Sequence, residues 1–190
     1  MSGYKKKTSL IPALIVAFIT FFIAFSVSLG SETLLNTIDN IIFAVILLLI
    51  IIFLGIFFDI IGTAATAAQM PPFNARAAKK VCGAKQAVNI VKNSHIVANY
   101  CNDVIGDIAG TLSGAIGAGI VLSLLDKLEF MDVVLSGAVM TSLIAALTVG
   151  GKALGKKLAV NHANSIIFRV AIIIALLENT KDKLIFKNRG

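Results

Sequence analysis

The sequence predicts an all-α integral membrane protein: four transmembrane helices, with juxtamembrane helices on the cytoplasmic side. Three observations carry this. Of the 190 residues 57% are apolar and only 14% charged, whereas charged residues make up roughly a quarter of a soluble chain. The apolar residues are gathered into uninterrupted runs long enough to cross a hydrocarbon core about 30 Å thick. Lys and Arg, all but Lys127, flank these runs on one side, the pattern of a cytoplasmic face.

The first span is predicted over Leu10 to Leu29, after Lys5, Lys6 and Lys7. Pro12 lies near its start, where a missing backbone donor does little harm. The run exceeds the roughly 7–15-residue apolar core of a secretory signal, which favours a retained helix over a cleaved leader. Residues 1–40 thus form a membrane anchor and an external polar loop. The second span is expected over Ile41 to Ile61. Gly62 to Tyr100 is Ala-rich and basic, with Arg76, Lys79, Lys80, Lys85 and Lys92, and is interrupted by Pro71-Pro72. It reads as amphipathic helices on the membrane surface or folded back on the bundle. The third span is expected from Asn102 to Leu125 and the fourth from Val133 to Val149, joined by a turn over Asp126 to Asp132. After Gly150-Gly151 a basic helix is expected over Lys152 to Leu177. Its apolar run Ile166–Leu177 contains Arg169 and is too short to span. Residues 41–177 are thus one transmembrane domain, and 178–190 a charged cytoplasmic tail.

Placing both termini and the central basic segment inside puts all seventeen Lys and Arg except Lys127 on the cytoplasmic side of a plasma (inner) membrane. The net charge of +7 is explained by this topology, so nucleic acid is not an expected partner; the lipid bilayer is. Cys82 and Cys101 lack metal-ligand spacing and are expected as free thiols. His95 and His162 are isolated among polar residues and read as surface side chains. No nucleophile elbow, phosphate loop or zinc-protease helix is present, and no enzymatic activity is expected.

The polar residues of the third span stand out. Asp103 and Asp107 fall one turn apart on a helix, and an ionised Asp within a span costs about 2.5–3.5 kcal/mol on an insertion scale, which makes it a functional candidate. At the cytoplasmic end of the helix the same carboxylates would be favoured by the helix dipole alone. Asp59, at the cytoplasmic end of the second span, could face the same cavity as Asp107, which the sequence alone does not decide. Gly106, Gly110 and Gly114 form a small-residue stripe, which predicts a third helix at the centre of the bundle or at a dimer interface.

With these segments in place, Phe57 to Arg169 resembles the transmembrane domain of the CorC/CorB and cyclin M family of magnesium and cobalt transport proteins. The stretch Phe57-Phe58-Asp59-Ile60-Ile61-Gly62-Thr63-Ala64 is similar to the Phe-Phe-Ser-Gly-Ser-Glu-type end of that family's first helix. Cys101-Asn102-Asp103 resembles its Gly-Asn-Asn-type motif. Gly151-Lys152-Ala153-Leu154-Gly155-Lys156-Lys157-Leu158-Ala159 lines up with its Gly-Glu-x-x-Pro-Lys-x-Leu-Ala motif. The resemblance implies a homodimer whose helices hold a partly dehydrated Mg²⁺ in a cytoplasm-facing cavity. Thr63 would supply a hydroxyl and Asn102 an amide oxygen, both hard donors suited to Mg²⁺; Asp103 and Asp107 are further metal candidates beside them. The tail is too short for the paired regulatory domains of relatives, so a separate regulatory partner is expected.

Two positions depart from the family pattern. Ala64 stands where relatives carry an acid, and Lys152 where they carry a glutamate. An ammonium about 5 Å from a divalent ion repels it by roughly 6–7 kcal/mol at an effective dielectric near 20, more than about four powers of ten in affinity. Three outcomes are open: Lys152 snorkels to the surface, or Asp103 and Asp107 supply compensating charge, either of which leaves a divalent-cation transporter; or Lys152 pairs with Asp103 or Asp107 as an internal cation and the protein is a non-transporting scaffold or regulatory subunit.

Overall fold

The computed structural model describes residues 10–37, 41–125 and 132–187. The basic flank Lys5–Lys7, the expected turn containing Lys127 and residues 188–190 of the tail lie outside them. All the regular structure among the described residues is helical: α1 (Leu10–Thr37), α2 (Ile41–Ala67), α3 (Met70–Ala78), α4 (Ala84–Lys92), α5 (Ser94–Ala98), α6 (Gly106–Leu125), α7 (Val133–Asn161) and α8 (Ala163–Lys187). A π-helical turn, Asn99–Ile105, joins α5 to α6. Three helical stretches are long and apolar enough to cross a membrane: Ile41–Ala67, Ser94–Leu125 and Val133–Asn161. In α1 the shorter segment Ala17–Ser26 is apolar, and α1 packs against α6.

The three long helices pack on one another, with α2 touching both α6 and α7. Their register can be read from the glycines at the contacts. A Cβ on Gly55 would lie 2.9 Å from the Cβ of Ala109, and Gly62 abuts the Asn102 side chain, so α2 and α6 run antiparallel. Gly117 abuts Ile144, and Gly106 abuts Lys152, so α6 and α7 are also antiparallel. Gly151 seats Ile56 and Gly155 seats Ile60, which makes α2 and α7 parallel. Where lipid is as apolar as the side chains, close packing of this kind is a main source of helix association.

α7 runs past Gly150-Gly151 without a break and ends at Asn161, where His162 leaves the helical conformation. The expected break after Gly150-Gly151 is thus corrected: Gly151 lies inside the helix as the socket for Ile56. Lys152 accordingly belongs to the same helix as Ile144 and Thr148, not to a separate basic segment. At its start, Asp132 Oδ1 accepts the Leu135 backbone N–H at 2.9 Å, an N-cap.

The central basic segment folds back on the bundle. Pro71 and Pro72 occupy the first turn of α3, where Pro is tolerated. α4 buries Ala84 and Ala87 and exposes Lys85, Asn89 and Lys92. It packs on α8, whose Ala163, Ile167, Ala171 and Ala175 recur every four residues as one buried stripe. Phe73 fills the core they share with Ala64, Ala65 and Ala159. The Arg76 guanidinium sits 4.2 Å over the Phe168 ring, a cation–π contact. Gly83 caps α4 at φ +81°, and a Cβ there would meet the Ile172 backbone at 2.9 Å. Gly83→Ala is expected to cost about 2 kcal/mol or more, read as a lowered thermal midpoint of the detergent-purified protein; an unchanged midpoint would mean that α4 does not dock on α8 in this way.

Candidate functional site

Gly55, Asp59 and Gly62 lie at i, i+4 and i+7 on α2 and therefore share one helix face. Gly55 and Gly62 touch α6 and the π turn, while Ile56 and Ile60 to one side touch α7. Asp59 thus points into the seam between the two neighbouring helices. It is only 4% exposed, and its Oδ2 has no hydrogen-bond partner. An unpaired buried carboxylate costs several kcal/mol, so such groups persist mainly where they have a use.

The register places further polar groups beside it. Counting between the Gly62–Asn102 and Gly55–Ala109 contacts, Asp59 falls opposite Ile105 and Gly106. Lys152 reaches that same level from α7, since a Cβ on Gly106 would lie 3.3 Å from its Nζ. Asn102, toward the basic end, turns a buried and unpartnered Oδ1 inward. One turn from Lys152 toward the opposite end, Thr148 buries an unpartnered Oγ1. Thr111, Ser113, Ser123 and Thr141, by contrast, all donate to the carbonyl four residues back. Ser113, fully buried on α6, is the last polar group. From Asn102 to Ser113 the polar seam is about 16 Å long at about 1.5 Å per residue. Beyond it the bundle closes in a cluster of Ala44, Leu48, Ile52, Ile116, Ile120 and Ile144.

The sequence candidates divide in two. Asn102 and Lys152 line the seam. Thr63, one turn past Asp59 on the same side of α2, is half-buried at its mouth. Asp103 and Asp107 are exposed, and among the described residues no ion pair joins Lys152 to either. Asp103 and Asp107 thus face away from the level at which the Lys152 ammonium meets Gly106, and the buried acid at that level is Asp59. The reason is helical geometry: adjacent residues point about 100° apart, so a helix that turns Asn102 and Gly106 inward turns Asp103 and Asp107 away. The small-residue stripe shifts for the same reason, with Gly106 and Gly117 at contacts while Gly110 and Gly114 face open space. Thr148 carried no sequence signal beyond its i−4 spacing from Lys152.

Among the described residues no three His, Cys, Asp or Glu side chains gather as a metal-binding group. The seam instead offers one carboxylate, neutral amide and hydroxyl oxygens, and an ammonium. Comparison of the chain with protein-family models, with curated proteins and with solved structures gives no match.

Because Asp59 is buried without a partner, Asp59→Asn should stabilise the fold by about 1–3 kcal/mol, measured as a raised thermal midpoint in detergent. A fall in the midpoint would mean that Asp59 and Lys152 form a closed, stabilising ion pair.

Proposed function

We propose that this is a multi-pass membrane protein that admits a cation to its helix bundle from the basic, cytoplasmic end. Asp59 is the anionic anchor, and the oxygens of Asn102, Thr148 and Thr63 are neutral donors. The observation that carries the reading is the unpartnered Asp59 carboxylate, 4% exposed, inside a bundle of helices apolar enough to cross a membrane. In an apolar surrounding a carboxylate binds a cation far more strongly than it does in water.

The transport class is the one implied by the resemblance to the CorC/CorB and cyclin M proteins, with the anchor moved from Asp103 and Asp107 to Asp59. On this reading α1 is the fourth span, both termini face the cytoplasm of a plasma (inner) membrane, and α3, α4 and α8 lie at that surface. The exposed, Gly- and Ser-containing face of α7 favours a homodimer, and regulation falls to a separate partner. A second reading is favoured by Lys152, whose ammonium lies at the level of Asp59: a non-transporting scaffold or regulatory subunit in which this lysine replaces the ion.

Calorimetry of the detergent-purified protein with Mg²⁺, Co²⁺, Na⁺ and K⁺ separates the two. Cation handling predicts saturable binding of at least one ion that Asp59→Asn abolishes. Silence toward every ion in the native chain would favour the scaffold.

A further inference from the structure

The seam holds one buried carboxylate and one ammonium at the same level, and its remaining donors are neutral. Asp59 comes from α2, Lys152 from α7 with its Nζ against Gly106, and Asn102 Oδ1 and Thr148 Oγ1 are buried without partners. The other charged groups near the basic end point outward: Asp103, Asp107, Lys156 and Lys157 are all exposed. We propose that Lys152 is a tethered competitor for a singly charged inorganic cation at Asp59, and that it sets the charge of the ion the seam accepts. This rests on the cation-handling reading above and names its substrate class.

The argument is one of charge and reach. A singly charged ion on Asp59 restores the neutrality that the Lys152 ammonium supplies when it turns toward the carboxylate. A divalent ion would leave an excess positive charge among neutral oxygens and beside a lysine, with no second buried acid among the described residues to balance it. Mg²⁺ also gives up its water reluctantly and is normally held by carboxylates or phosphates, of which this seam offers one. Lysine has four methylenes and is half-buried here, with exposed Lys156 one turn further along α7 marking the way to the basic surface. The ammonium can therefore swing along the seam between Asp59 and that surface without being lost to lipid. Alternate occupancy by ammonium and ion keeps the net charge of the seam constant, and each excludes the other.

The test uses the full chain in detergent, with thermal midpoints recorded against NaCl, KCl or MgCl₂ while an organic-cation chloride holds ionic strength fixed. The native protein should be stabilised saturably by Na⁺ or K⁺ and not by Mg²⁺. Lys152→Gln should tighten the apparent monovalent dissociation constant by about tenfold or more, since the competitor is gone. Lys152→Met serves as a second neutral variant if Lys152→Gln is not monodisperse. Lys152→Glu, which adds a second acid, should gain a Mg²⁺ response, and Asp59→Asn should lose every response. Unchanged monovalent affinity in both neutral variants, or a native preference for Mg²⁺, would overturn the competitor role while leaving Asp59 as a cation anchor. Absence of any cation response in the native, Lys152→Gln, Lys152→Met and Lys152→Glu proteins would remove the cation-handling reading itself.

Discussion

The close approach of α2 to both of its long neighbours is the constraint on which the rest of the structure depends. Gly55 and Gly62 let α6 and the π turn come within reach, and Gly151 and Gly155 accept Ile56 and Ile60 as knobs. Side chains larger than hydrogen at these positions would wedge the helices apart. With the helices this close, the face of α2 between the two contacts is almost wholly covered, and Asp59, 4% exposed, sits in the middle of that face. The burial of a charge thus follows from the packing around it. The stability given up by burying a lone carboxylate must be offset by the apolar contacts on either side of it.

The bundle is consequently divided along its length. In one half, Ala44, Leu48, Ile52, Ile116, Ile120 and Ile144 interlock as a dry plug. In the other, Asn102, Asp59, Lys152, Thr148 and Ser113 follow one another from the basic end inward. A second apolar core, around Phe73, Ala87, Ile167 and Ala171, fastens α3, α4 and α8 to the ends of α2 and α7. This platform fixes the mouth of the seam. It also collects exposed Arg76, Lys79, Lys80, Lys85 and Lys92 on its outer surface.

Much of the fold was legible because apolar runs of this length have few alternatives. The helices beginning at Ile41 and Val133 were placed within a residue at their starts, and the basic segment, read as helices either at the membrane surface or folded back on the bundle, is helical and packs on α8 and α2. The misread end of α7 has a simple cause. Gly150-Gly151 reads as punctuation in a soluble chain, but in a packed membrane helix Gly151 is a socket for a neighbour. The site was half legible. Asn102 and Lys152 stood out as polar residues at the edges of apolar runs, and Asp59 was noted beside Asp107, but which acid shares their level was not legible. Asp103 and Asp107 are closer to Asn102 in sequence, and only the register between α2 and α6 shows that they turn outward while Asp59 turns in. Thr148 was invisible, since a threonine in a span normally bonds to its own helix.

The central claim is that a polar seam penetrates the bundle from its basic end and stops at an apolar plug. Its most direct test is thiol accessibility in proteoliposomes, with Cys82 and Cys101 replaced by Ser and single cysteines introduced at Asn102, Thr148 and Ile144. The account predicts that a small cationic methanethiosulfonate reagent, applied from the basic side, modifies Asn102→Cys and Thr148→Cys but not Ile144→Cys. Modification of all three at similar rates, or of Ile144→Cys alone, would contradict it.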